Sequence, residues 1–185
     1  MDIKEAQRYL GEVDIQALSE AILTQEPEAW TEQLSRQQTY EVHRDTESIV
    51  LLFCDESWPD GEIRREPGWD RLAGVAMPLI DDIINTHYAP GGTLIRAMAA
   101  KLKAQGRIRP HRDTLHSFQI GHRIHVPITT SEAVRFNIAG KPYEFEIGKA
   151  YELNNQKVHS VMNLGNEDRI SFIFDYVPAD AKLSE

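Results

Sequence analysis

The sequence predicts a mainly β fold with flanking helices: an antiparallel double-sheet jelly roll with helices from the front of the chain packed on one side. Three observations carry this. From Thr93 onward, short segments recur at close spacing: 93–100, 107–112, 120–128, 134–139, 142–147, 150–154, 158–164 and 169–177. Turn signals separate several of them, at Gly106, Gly121, Ala139-Gly140-Lys141-Pro142, Gly148, Asn154-Asn155 and Gly165-Asn166. Short, evenly spaced strands with such punctuation fit a sandwich or barrel. Val134-Phe136-Ile138 and Ile170-Phe172-Phe174 alternate as strands with one buried face do. The front of the chain has helical spacing instead, and helices grouped ahead of antiparallel strands pack on one side of them.

Ile15-Leu18-Ile22, with Ala21 and Leu23, gives the first helix, with Asp14 as its N-cap. Pro27 fits a first helical turn ahead of Ala29, Trp30 and Leu34. Residues 48–53 are a continuous apolar run, read as a buried strand. Residues 55–70 hold Pro59, Gly61, Pro67 and Gly68 and read as a long loop. Trp58 and Trp69 in that loop either close over a substrate or anchor the loop on the domain. Leu72 to Tyr88 is helical, with Pro78 marking a start or a kink. The division expected is one domain over 1–185, with 1–90 supplying helical support and first strands and 91–178 the β core.

Composition narrows the function. The 185 residues suffice for one self-supporting core, with about two-thirds of the unfolded surface buried. Lys plus Arg number 20 and Asp plus Glu 29, a net charge of −9, which argues against a polyanion binder and so against a nucleic-acid partner. Cys54 is the only cysteine, so intrachain disulfides and cysteine-based zinc sites are excluded. The start MDIKEAQRYLGEVD lacks the basic and apolar regions of a signal peptide, and no apolar run is long enough for a membrane span. The expectation is a cytoplasmic protein without a membrane partner. Charge is uneven: residues 101–135 hold seven bases, two acids and four of the seven histidines. A cationic patch on an acidic protein suits a small anionic ligand; the alternative is outward-facing strand residues.

The chemistry gathers on the predicted β core. In Pro110-His111-Arg112-Asp113, positions i and i+2 of a strand put an imidazole and a carboxylate on one face. His159 follows 46 residues after Asp113. Two histidines and one carboxylate form the facial triad of non-haem iron oxygenases and leave coordination positions open. Arg169, ten residues after His159, is one strand, a turn and a return away, where it can enter the same cavity and bind a carboxylate through two nitrogens. Each element has an ordinary reading too. A His-x-Asp serves equally as a hydrogen-bonded pair, and a strand-end Arg169 can pair with Glu167 or Asp168. His43 and His87 have no partner pattern and read as structural.

The set His111-x-Asp113, Arg123-Ile-His125, Gly148-x-Ala150-Tyr-Glu152, His159-x-x-x-Asn163 and Arg169-Ile-Ser-Phe-Ile-Phe-Asp175 resembles the aspartyl/asparaginyl β-hydroxylase family of Fe(II)- and 2-oxoglutarate-dependent oxygenases. The resemblance covers residues 90–180, and 38–53 more faintly. It is greatest to the bacterial L-proline cis-4-hydroxylase type, which keeps the His-x-Asp carboxylate. It implies a double-stranded β-helix, cupin-like core. It implies Fe(II) on His111, Asp113 and His159, with 2-oxoglutarate as cosubstrate and O₂ as oxidant. It implies Arg169 on the far carboxylate of 2-oxoglutarate, and Arg123 and His125, on one strand face, on a cosubstrate or substrate carboxylate. Arg135, His116 and His122 are the remaining candidates for substrate contact; His116, His122 and His125 also read as structural histidines. The substrate expected is a small carboxylate-bearing molecule such as a free amino acid. A peptidyl Asp/Asn-type side chain, a metal-binding module without turnover and a metal-free sandwich are the alternatives.

Overall fold

A computed structural model describes residues 3–33 and 41–181, the side chain of Val42 apart. Eleven strands among these form two antiparallel sheets. The major sheet has the order β1-β9-β6-β11-β4-β2-β3 and the minor sheet β5-β10-β7-β8. The strands are β1 (Gln7–Glu12), β2 (Thr46–Cys54), β3 (Ile63–Arg65), β4 (Thr93–Leu102), β5 (Arg107–His111) and β6 (His122–Thr129). They continue with β7 (Val134–Ile138), β8 (Lys141–Tyr143), β9 (Lys149–Leu153), β10 (His159–Asn163) and β11 (Arg169–Val177). This is the jelly roll that the spacing predicts.

The helices pack on one face of the major sheet. Helix α1 (Gln16–Leu23) buries Leu18 and Ile22. Asp14 Oδ1 accepts the Gln16 N–H at 3.0 Å, while Ile15 holds the N-cap position. A 3₁₀ turn follows at Pro27–Trp30; Leu34 lies outside the described residues. Helix α2 (Gly68–His87) runs through Pro78. The sequence favours a start or kink there, but Leu72, Ala76, Leu79, Ile80 and Ile83 make one buried stripe at helical spacing. Burying that stripe outweighs one lost backbone hydrogen bond. The loop expected over 55–70 is likewise shorter. Residues 63–65 pair with Leu52–Cys54 as an edge strand, and α2 has begun by Gly68. A Cβ on Gly68 would lie 2.4 Å from the Val50 carbonyl, so glycine is what lets α2 start against β2. Trp58 packs with Cys54, Ile95 and Val177, and Trp69 lies within α2 under the Arg65 guanidinium at 4.2 Å. Both anchor this segment on the domain.

Strand alternation then sorts residues between two environments. Ile49, Leu51, Ala97, Ala99, Ile124, Val126, Phe172 and Phe174 face the helices. Their neighbours face the minor sheet, where Leu102, Tyr151 and Leu153 meet Phe136, Ile138 and Val161. Arg96, Arg123, His125, Arg169 and Asp175 alternate with the first group, so they stand on the inner face between the sheets. Among the described residues no helix is long and apolar enough to cross a membrane.

Candidate metal and carboxylate site

His111 ends β5 and His159 opens β10, and the two are register partners across that strand pair. Pairing puts the imidazoles side by side, with ring centroids 4.3 Å apart and the planes tilted by 54°. Asp113 lies just past the end of β5, where its N–H bonds the Asn155 carbonyl at 3.2 Å. Gln156 Nε2 donates to the carbonyls of both Asp113 and Phe118, at 3.1 and 3.2 Å, and so ties the His-x-Asp turn to helix α3 (His116–Ile120). The result is a cluster in which one donor atom from each of His111, Asp113 and His159 lies within 4.8 Å of the others.

Both imidazoles are held in the form a metal needs. His111 Nδ1 meets the Arg109 carbonyl at 2.8 Å, and His159 Nδ1 the Lys157 carbonyl at 3.0 Å. A carbonyl only accepts, so Nδ1 carries the proton and Nε2 is left as the lone-pair donor. Burial pushes His159 below the ordinary imidazole range despite the nearby Asp113 carboxylate, which keeps it neutral. Asp113 Oδ1 lies 3.7 Å from His111 Nε2, and its Oδ2 accepts from Arg123 Nη1 at 2.5 Å.

The cavity beside this cluster is lined by His43, Thr46, His125, Phe136, Arg169 and Ile173 among others. Arg169, 4% exposed at the start of β11, points at no protein carboxylate among the described residues. Burial pushes its guanidinium down from its ordinary value to about 10, with no acidic partner among the described residues to counter it. His125 is buried with neither ring nitrogen hydrogen-bonded among the described residues, edge-on to Phe136 and beside Phe145. Burial, and then the charges of Arg169 and Arg123, hold it well below its ordinary range, so it is neutral at pH 7.

The other candidates are held by protein partners or lie outside the cavity lining. Arg123 lines the cavity but is engaged by two protein carboxylates: Nη1 on Asp113, and Nε and Nη2 on Asp175 at 2.8 and 2.9 Å. Burial alone would lower it, but Asp175 and Asp113 leave it raised. Any ligand carboxylate must share Arg123 with these two. His122 shares the helix-side face of β6 with Ile124, where its Nδ1 bonds the buried Glu152 at 2.5 Å, together with Arg8 and Tyr88. One residue of strand parity thus separates it from the cavity. His116 opens α3 and is not among the lining residues. Arg135 is exposed, bonds the Glu132 and Val134 carbonyls, and borders a neighbouring cavity that Arg169 also lines. His43 has no partner pattern in the sequence, yet it lies edge-on to His111 at 5.9 Å. Nothing local marks it, since 68 residues separate the two in the chain.

A jelly roll with two histidines and an aspartate at the mouth of its inner cavity has the architecture of the 2-oxoglutarate oxygenases. Solved structures agree on the fold. A prolyl hydroxylase from Trichoplax adhaerens, in complex with a hypoxia inducible factor peptide fragment, matches with TM-score 0.61 and 10% identity, over 95% of this chain and 84% of that one. HygX from Streptomyces hygroscopicus, with nickel, 2-oxoglutarate and hygromycin B bound, matches at 0.54 and 12%, over 95% and 84%. The viral collagen prolyl hydroxylase of Paramecium Bursaria Chlorella virus-1 matches at 0.53 and 9%, over 94% and 97%. A search of curated proteins gave no match. Residues 5–178 match the profile of the family described as aspartyl/asparaginyl beta-hydroxylase. The chain belongs to that family, and by that membership it is a 2-oxoglutarate-dependent hydroxylase.

Proposed function

We propose that this protein is an Fe(II)- and 2-oxoglutarate-dependent dioxygenase that hydroxylates an unactivated C–H bond of a small carboxylate-bearing substrate, such as a free amino acid. One observation carries the reading: the part-buried His111 with Asp113 and the buried His159 stand beside a cavity that also holds Arg169, a buried guanidinium that no carboxylate among the described residues meets. The donor set suits a divalent first-row cation and leaves room for other ligands. The unpaired cation calls for an anion, and a carboxylate fits it through two nitrogens.

His111 Nε2, His159 Nε2 and one oxygen of Asp113 would hold Fe(II). Bound iron with 2-oxoglutarate and O₂ supplies the oxidising power, with release of succinate and CO₂. The chain supplies orientation and dryness. Arg169 grips the far carboxylate of the cosubstrate and fixes its reach toward the triad. His125, neutral and unpartnered, offers the bound anion a ring N–H without adding charge. Phe136, Ile173 and Val161 exclude water from the cavity. All the metal and carboxylate residues lie within 91–178, the proposed catalytic core.

The enclosure of the triad supports a small substrate: His111 and Asp113 side chains are 17% and 10% exposed, and His159 is 6% exposed. The test is mass spectrometry of a panel of free amino acids, L-proline included, and of Asp-, Asn- and Pro-containing peptides, incubated with Fe(II), 2-oxoglutarate and O₂. A gain of one oxygen by a free amino acid supports the reading. Oxygen gained only by peptides would replace the substrate class. Iron binding without product anywhere would favour a binding module.

A further inference from the structure

The strand register builds a row of charges behind the metal cluster. Asp175 on β11 is the register partner of Arg96 on β4 and of Arg123 on β6. All three stand on the inner face of the major sheet. Asp175, 2% exposed, takes the Nε and Nη2 of Arg123 in a fork and also accepts from Arg96 Nη1 at 3.3 Å. Arg96, 1% exposed, is held in turn by Ser117 Oγ at 2.8 Å. Both guanidinium groups lie over the Phe118 ring, Arg96 at 4.1 Å and Arg123 at 4.5 Å from its centroid. The row ends at Asp113 Oδ2.

A buried ionic row is poor stability material, since apolar side chains of similar size often do as well. This one has a direction. With its fork spent on Asp175, Arg123 has one nitrogen left pointing along the row, and that nitrogen occupies one oxygen of Asp113. The other oxygen, Oδ1, is the one that faces His111.

We propose that Asp175 is a positioning residue, which with Arg96 fixes Arg123 so that Asp113 offers a metal a single oxygen. The inference rests on the triad reading above. A carboxylate limited to one oxygen leaves an additional coordination position open to a chelating ligand. A swinging Asp113 would close that position by binding through both oxygens. Outer partners of metal ligands are commonly worth 10–100-fold in metal affinity.

The probe is Co(II) alone, followed by calorimetric affinity and by the visible absorption of the bound ion, which reports coordination number. Asp175→Asn should weaken Co(II) binding by about 10–100-fold and change the band shape, while Asp175→Glu should recover part of both. Should Asp175→Asn fail to fold, the double variant R96M/D175N removes one charge of each sign and leaves Arg123 without its Asp175 anchor; it should show the same loss and spectral change. Wild-type affinity and spectrum in a folded variant would overturn the inference. Asp113→Ala separates the two claims: if it binds Co(II) like wild type, the triad reading itself fails.

Discussion

Replacing Arg169 with Met should make the ligand-free protein more stable and at the same time blind to 2-oxoglutarate. Burial lowers the guanidinium from its ordinary value to about 10, and at 1.36 kcal/mol per tenfold this is a charging cost of about 3 kcal/mol. Met keeps most of the apolar stem and carries no charge. It loses the cation–π contact with Phe136 at 5.8 Å, worth about 0.5–1 kcal/mol. The net gain of about 2 kcal/mol corresponds to roughly 4–8 °C in Tm for a chain of this size. The sign holds across the useful range. A cation with its folded pKa below its unfolded one carries the full cost below pH 10, and the cost fades as pH rises toward the unfolded value. The assay is thermal and urea unfolding of wild type and R169M loaded with Co(II), with and without 2-oxoglutarate. Wild type should gain about 2.7 kcal/mol at a hundredfold excess over Kd, and R169M nothing. A variant less stable than wild type without ligand, or one that keeps the 2-oxoglutarate response, would refute the reasoning.

Three further outcomes are expected. His111→Ala, Asp113→Ala and His159→Ala should each lose Fe(II) binding with circular dichroism unchanged; wild-type iron affinity in all three would show the site is misplaced. Glu152→Ala should destabilise by about 3–5 kcal/mol, because it leaves Arg8, His122 and Tyr88 without their shared buried acceptor, yet leave Co(II) affinity intact. A change in metal affinity there would place His122 in the site after all. His125 stays neutral in the folded protein while an unfolded histidine protonates near pH 6.5, so wild-type stability should fall as pH drops below that value. His125→Phe should flatten this slope by roughly 1.4 kcal/mol per pH unit, read by urea unfolding between pH 6.5 and 5; parallel curves would mean that His125 titrates normally.

The β core was legible because its signals are local. Turn residues bracket most strands, and Val134-Phe136-Ile138 shows period 2 without help from the rest of the chain. The His-x-Asp and the ten-residue step from His159 to Arg169 were legible for the same reason: a strand and its return fit that length. Features set by long-range pairing were harder to read. Strand β1, QRYLGE, has little alternation and exists because β9 pairs with it. Pro78 looked like a boundary because the packing that holds α2 together lies on β2 and α1. Strand parity, the rule that puts Arg123 and His125 on one face, puts His122 on the other, where it meets Glu152. The charged row left a usable trace: Arg96 inside Leu-Ile-Arg-Ala-Met-Ala, and Asp175 between Phe174 and Tyr176, are lone charges in apolar strands. Such residues must find partners, but only the register reveals that they find each other.

The central claim is that the cavity joining His111, Asp113 and His159 to Arg169 couples a metal to a 2-oxoacid. The direct measurement is succinate release when protein equilibrated anaerobically with Fe(II) and 2-oxoglutarate is exposed to O₂. The account predicts O₂-dependent succinate, raised by the true substrate and abolished in both His111→Ala and R169M. Iron-loaded protein that binds 2-oxoglutarate but yields no succinate, with or without the amino-acid and peptide panel, would contradict it.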